Sequence, residues 1–118
     1  MDKIVYRGTK IDLHIHSEFS KAKDGKKVAE NTVDNLPILI EKLCENNVEM
    51  CAITDHDNFN YDIYSKLKCE ELNDNCIKKV LPGIEFSVEF LKDKIIHIVR
   101  IYFGDGNPTR QYIDYIGQ

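Results

Sequence analysis

The stretch Val48 to Thr54 limits the fold more than any other part of the chain, because Met50, Cys51, Ala52 and Ile53 form an unbroken apolar run. Such a run suits a strand covered on both faces, as in a parallel sheet flanked by helices. A parallel neighbour is reached only through a crossover, so helical sequence is expected on either side. Upstream, Leu36, Leu39, Ile40, Leu43 and Cys44 recur at helical spacing. Asp34 or Asn35 is placed to cap that helix, Pro37 is tolerated in its first turn, and Asn46-Asn47 stops it. Downstream, Tyr64, Leu67 and Leu72 mark a second helix over about 61–72, and Lys78 to Leu81 reads as a strand ended by Pro82-Gly83.

Two further segments complete the pattern. Lys10 to His16 is a short strand, preceded by a lead-in with Gly8 as a turn and followed by a lysine-rich loop over 17–27 closed by Asp24-Gly25. From Ile84 the periodicity changes: Ile84, Phe86, Val88 and Phe90 alternate with Glu85, Ser87 and Glu89. Lys92-Asp93-Lys94 then turns the chain, and Ile95 to Phe103 returns as a second strand of a hairpin. The fold class is therefore α/β, a strand–helix–strand–helix–strand unit with a β-hairpin added, in one domain over residues 1–118. Residues 104–118 form a tail that the pattern does not place.

In parallel sheets and barrels, functional groups gather at the C-terminal ends of the strands. Here those ends carry ligand-type side chains. His14 and His16 lie two residues apart in a strand and so project on the same face. His56 follows the second strand directly, between Asp55 and Asp57. Glu85 lies just past the third, and His97 stands between Ile96 and Ile98. Taken singly, each has an ordinary reading: an exposed histidine pair, a capping aspartate, a solvent-facing glutamate, a core histidine. Together they describe a site where imidazoles and a carboxylate converge on a cation. Asp55 and Asp57 would then accept a hydrogen bond from a metal-bound imidazole and fix its tautomer.

Composition narrows the partners. At 118 residues, with 42% hydrophobic and 31% charged residues, the chain can bury an ordinary core. A net charge of −4 gives no general attraction to nucleic acid or anionic membrane. It leaves open a nuclease whose cations meet the phosphates. Lys21, Lys23, Lys26 and Lys27 could contact phosphates, although a solvated basic loop is the plainer reading. No stretch approaches the roughly 18 apolar residues of a membrane span, and Met1 to Tyr6 is too short and polar for a signal peptide. A cytoplasmic location is expected, with no membrane partner. Cys44, Cys51, Cys69 and Cys76 show no C-x-x-C pair and are expected to be reduced and structural.

Four stretches resemble the PHP (polymerase and histidinol phosphatase) superfamily over residues 10–103: Asp12-Leu13-His14-Ile15-His16-Ser17, Ile53-Thr54-Asp55-His56-Asp57, Leu81-Pro82-Gly83-Ile84-Glu85-Phe86-Ser87 and Ile96-His97-Ile98-Val99. Ser17-Glu18-Phe19-Ser20, continuing to Asp24-Gly25, is similar to the sequel in the PHP domains of bacterial replicative polymerases. The resemblance implies the N-terminal half of a distorted (βα)7 TIM-like barrel holding up to three divalent ions. His14 and His16 would hold one ion, Glu85 would bridge two, His97 would bind the second, and His56 with Asp24 the third; Glu18 is the substitute for Asp24. Imidazole-rich ligation suits zinc, manganese or iron better than magnesium.

The implied activity is metal-dependent hydrolysis of phosphate esters, of phosphatase or nuclease type, on a phosphorylated small molecule or a nucleic-acid phosphodiester. Complete family members add a further histidine and a late Asp-x-His, whereas no histidine follows His97 here. The chain is accordingly expected to be the N-terminal portion of a larger protein, ahead of two other readings, a remnant or a chain completed by a partner or a second copy. The contrasting function is a catalytically incomplete, metal-stabilised module that acts in protein assembly or within a multidomain protein, its open barrel edge covered by that partner.

Overall fold

The computed structural model describes residues 8–92 and 94–102, and the side chains of all of these except Lys21, Phe90 and Leu91. Expectations for residues 1–7, Asp93 and 103–118 lie outside the described residues.

The chain is mixed α/β. Strand β1 (Lys10–Ile15) leads through a wound segment and helix α2 (Leu36–Glu45) to β2 (Val48–Ile53); helix α3 (Tyr61–Lys68) then leads to β3 (Lys79–Val80). The three strands form a parallel sheet in the order β1-β2-β3, with the apolar run of β2 in the centre. Strands β4 (Gly83–Leu91) and β5 (Lys94–Ile101) form an antiparallel hairpin. Among the described residues the strands do not close into a barrel.

Burial follows the sequence pattern with instructive exceptions. Cys51 and Ala52 are wholly buried, as the apolar run requires, and α2 contributes Leu36 and Leu43 to the same core. The chain leaves α2 through Asn47, which adopts a left-handed backbone (φ 59) that asparagine tolerates. From α3, Ile63, Tyr64 and Leu67 face inward. Leu72, expected on that stripe, is 86% exposed. The helix tightens to a 3-10 turn over Cys69–Leu72, and the change from 3.6 to 3 residues per turn rotates position 72 off the apolar face.

The 17–27 stretch is not an open loop. It winds through three short helical pieces, Glu18–Ser20, α1 (Lys21–Asp24) and Gly25–Val28, with Gly25 supplying a left-handed backbone (φ 61) directly after Asp24. The winding is held by Ser20 N donating to Ser17 O and by Val28, which is buried.

The cysteine expectation needs correction. Cys44 and Cys76 form a disulfide, with Cα atoms 5.4 Å apart; Cys51 and Cys69 are free. The last turn of α2 and the lead into β3 both arrive at the start of β2, so residues 32 apart in sequence meet there. Burial pushes the Cys51 thiol up to about 12, whereas Cys69 is exposed. Under non-reducing conditions the native protein should therefore take up one maleimide, at Cys69. Unfolding should add a second at Cys51, and reduction two more; intact-mass spectrometry counts them.

Strands β3 and β4 run along the same flank of β2. Leu81 N donates to Cys51 O, and Glu85 N donates to Asp55 O past the Pro82-Gly83 interruption. Gly83 passes so close to its neighbours that an added Cβ would lie 2.7 Å from both Ile101 Cδ1 and Thr54 Cγ2 and 3.1 Å from the Arg100 carbonyl oxygen. Gly83→Ala should cost about 1–3 kcal/mol, the range for overpacking, read as a lower urea midpoint.

A candidate metal centre at the strand ends

Six side chains converge where β1, β2 and the β3–β4 line end. Glu85 is at the centre. It is buried although it alternates with apolar neighbours, because the start of β4 lies against the end of β2. His14 Nε2 contacts Glu85 Oε1. His16 Nε2 lies 3.4 Å from the same oxygen. His56 Nδ1 and His97 Nδ1 lie 2.8 and 3.2 Å from Glu85 Oε2.

Asp24 closes the other side. Its Oδ2 is 2.6 Å from His16 Nδ1, and its Oδ1 is 3.3 Å from His56 Nε2. The wound segment makes this possible, since an extended loop would carry Asp24 away from the strand it follows. Three groupings result, each with ligand atoms within 4.8 Å of one another: His14, His16 and Glu85; His16, Asp24 and His56; His56, Glu85 and His97. The structure thus gathers every residue expected to ligate. Glu18, the substitute for Asp24, is in none of these groupings.

Hydrogen bonding distinguishes this cluster from a set of satisfied polar residues. The bond between His16 Nδ1 and Asp24 Oδ2 places a proton on Nδ1 and leaves the Nε2 lone pair facing Glu85. That Nε2 is buried and has no hydrogen-bond partner, and the same holds for His56 Nδ1. Both nitrogens are nevertheless close to carboxylate oxygens, at angles that do not aim an N–H at them. Lone pairs that converge from imidazole and carboxylate without a shared proton are the arrangement a cation satisfies. The donor set therefore fits a divalent metal ion. His14 and His97 have half-exposed side chains and flank the open side, which would admit a ligand from solvent.

The electrostatics agree. Burial pushes the Glu85 carboxyl up, but the His14 hydrogen bond and the neighbouring His56, His14 and His16 imidazoles outweigh it and hold the group below its ordinary range. Glu85 is therefore poised as an anion.

Two expected roles are not met. Asp55 and Asp57 do not contact an imidazole. Both Asp55 oxygens instead accept hydrogen bonds from Ser17 and Ser20. Asp57 has a left-handed backbone (φ 49) that sends its N–H to Glu85 O and its Oδ1 to Ser87 N. It locks β4 in place; Asn60 caps α3 instead. The part assigned to these aspartates, fixing a histidine tautomer, falls to Asp24. Ser17 and Ser20 acquire structural importance that their types alone did not signal, beyond the place of Ser17 directly after the His-x-His pair.

No family model matches the chain, and no curated protein matches it. Among the described residues, no helix is long and apolar enough to cross a membrane.

Proposed function

We propose that the cluster holds divalent cations and that the protein hydrolyses phosphate esters, as the N-terminal portion of a PHP-type barrel. The observation that carries this reading is the buried Glu85 carboxylate ringed by four imidazoles, two of which present buried, unpartnered nitrogens towards it. The placement of His14, His16 and His56 at the ends of β1 and β2 supports it further. His14, His16 and Glu85 would hold one cation, Glu85 and His97 a second, and His56 with Asp24 a third. Bound zinc, manganese or iron supplies positive charge for the phosphate and activates water.

The chain's own residues do the rest. His16 keeps its Nδ1 proton on Asp24 and so offers Nε2 as a ligand atom. Glu85 stays ionised and offers both oxygens. Lys23, Lys26 and Lys27 are exposed on the turns around Asp24, where they can meet the negative charge of a nucleotide or a phosphorylated metabolite. The test is metal analysis of the purified protein followed by turnover of a generic aryl phosphate with added manganese. Bound metal and metal-stimulated turnover are expected; a folded sample with neither would overturn the reading.

A second reading is favoured by the hairpin. Ile95, Ile96, Ile98 and Val99 of β5 are exposed, and β5 pairs only with β4 among the described residues. An open apolar edge of this kind suits a metal-stabilised module completed by more chain or by a partner. Light scattering after size exclusion separates the two, since an obligate module is expected to run as a dimer or larger. His14→Ala with His16→Ala separates them again: an enzyme loses turnover, whereas a module loses chiefly the rise in melting temperature that metal confers.

A further inference from the structure

We infer that Asp55, acting through Ser17 and Ser20, is a positioning residue that sets the spacing of His16, Asp24 and His56, an inference that rests on the metal-centre reading above. Asp55 is 2% exposed, and its two oxygens accept three hydrogen bonds. Ser17 N and Ser20 Oγ donate to Oδ1 at 2.5 and 2.8 Å, and Ser17 Oγ donates to Oδ2 at 2.6 Å. With its lone pairs so occupied, the carboxylate has no part in ligating a cation. Each of its partners is nevertheless one step from a residue that does.

Ser17 directly follows His16, so the Asp55–Ser17 pair fixes the end of β1 relative to the end of β2. Asp55 itself directly precedes His56. Ser20 is the residue before α1, the single turn whose last residue is Asp24. Its hydroxyl has two tasks: it donates to Asp55 and accepts from His56 N at 2.8 Å. One hydroxyl therefore joins the backbone of one ligand to the turn that carries another. The carbonyl of His16 is held separately by Asn31 Nδ2 at 2.6 Å, and Ser17 and Ser20 add to the direct pairing of β1 with β2 and to the Asn58 Nδ2 bond to Phe19 O in tying β1, the wound segment and β2 together. All three residues of the clamp are buried, and the clamp spans sequence separations of 35 to 38, so no local preference maintains it.

A clamp of this kind acts on metal affinity and coordination geometry rather than on chemistry. Partners one shell removed from a metal ligand commonly change affinity by about 10–100-fold when deleted. The experiment is titration of the full chain with cobalt(II), read by calorimetry and by the visible d–d bands, which report the number and geometry of ligands. Ser20→Ala should lower cobalt affinity by about 10–100-fold and change the band pattern, while the metal-free variant still melts cooperatively. Ser20→Thr keeps the hydroxyl and should retain more affinity than Ser20→Ala. If Ser20→Ala does not fold, Ser17→Ala carries the same expectation.

Wild-type affinity and an unchanged spectrum in a folded alanine variant would overturn the inference while leaving the metal centre standing. A wild-type protein that binds no cobalt would remove both. Cobalt binding without phosphate-ester turnover would remove the proposed activity alone and leave the clamp intact.

Discussion

Glu85→Gln should abolish metal binding and any metal-dependent turnover together, because the carboxylate is shared by two of the three ligand groupings. Glutamine keeps the shape and one acceptor oxygen but loses the charge that balances two cations, so the remaining histidines face a crowded, uncompensated site. The loss in affinity should exceed the 10–100-fold typical of removing a supporting partner. Calorimetric titration of wild type and variant with zinc or manganese measures it. The metal-free proteins should differ as well. Glu85 is held below its ordinary value of 4.5, so in the wild type its contribution to stability is present above that pH and is lost as pH falls through the depressed folded value. Glutamine has no such transition. Acid unfolding of the variant should therefore lack this component, and the gap in stability between the two proteins should narrow on acidification.

Asp55→Ala should be the most damaging single change to the fold. The substitution leaves Ser17 N, Ser17 Oγ and Ser20 Oγ without their acceptor in a buried site. Each unmatched donor costs about 1–3 kcal/mol. Set against the relief of a buried charge, the net loss is about 3–5 kcal/mol. Domains of this size are stable by only about 5–15 kcal/mol, and each kcal/mol moves the midpoint by about 4–8 °C. A fall in melting temperature on the order of 20 °C is expected by calorimetry. Asp55→Asn should fall between, since its amide retains one acceptor oxygen but turns two donors towards donors. A melting temperature within a few degrees of wild type for the alanine variant would show that the hydrogen bonds to Asp55 contribute little.

Much of this architecture was legible in the sequence, for physical reasons that differ by element. The unbroken apolar run at 50–53 suited a strand covered on both faces, and it is the central strand. The 84–90 alternation gave a hairpin with its turn in the right place. Strand ends gave His14, His16, His56 and Glu85, since period 2 and the position of a strand terminus are both readable from residue types, whereas Asp24 was reached only through the family resemblance. What was hidden depends on contacts between distant segments. The Cys44–Cys76 disulfide joins residues that meet only because α2 returns to the start of β2, and spacing alone gave no sign of it. The winding of 17–27 depends on hydroxyls that a buried carboxylate holds from 35 or more residues away. Leu72 shows a related failure: a helical stripe cannot announce that its last turn will tighten. The tasks of Asp55 and Asp57 were invisible for the same reason, as their types suit capping, ligation and clamping equally.

The position of Glu85 carries a mechanical consequence. His14, His16, Asp24 and His56 all belong to the parallel sheet and its wound connection, whereas Glu85 and His97 belong to the hairpin. A cation shared across that boundary would work as a rivet between two separately hydrogen-bonded sheets. Loading the centre would stiffen the joint, and stripping it would leave the hairpin held by buried Ile84 and by the hydrogen bonds at the Asp55–Asp57 corner.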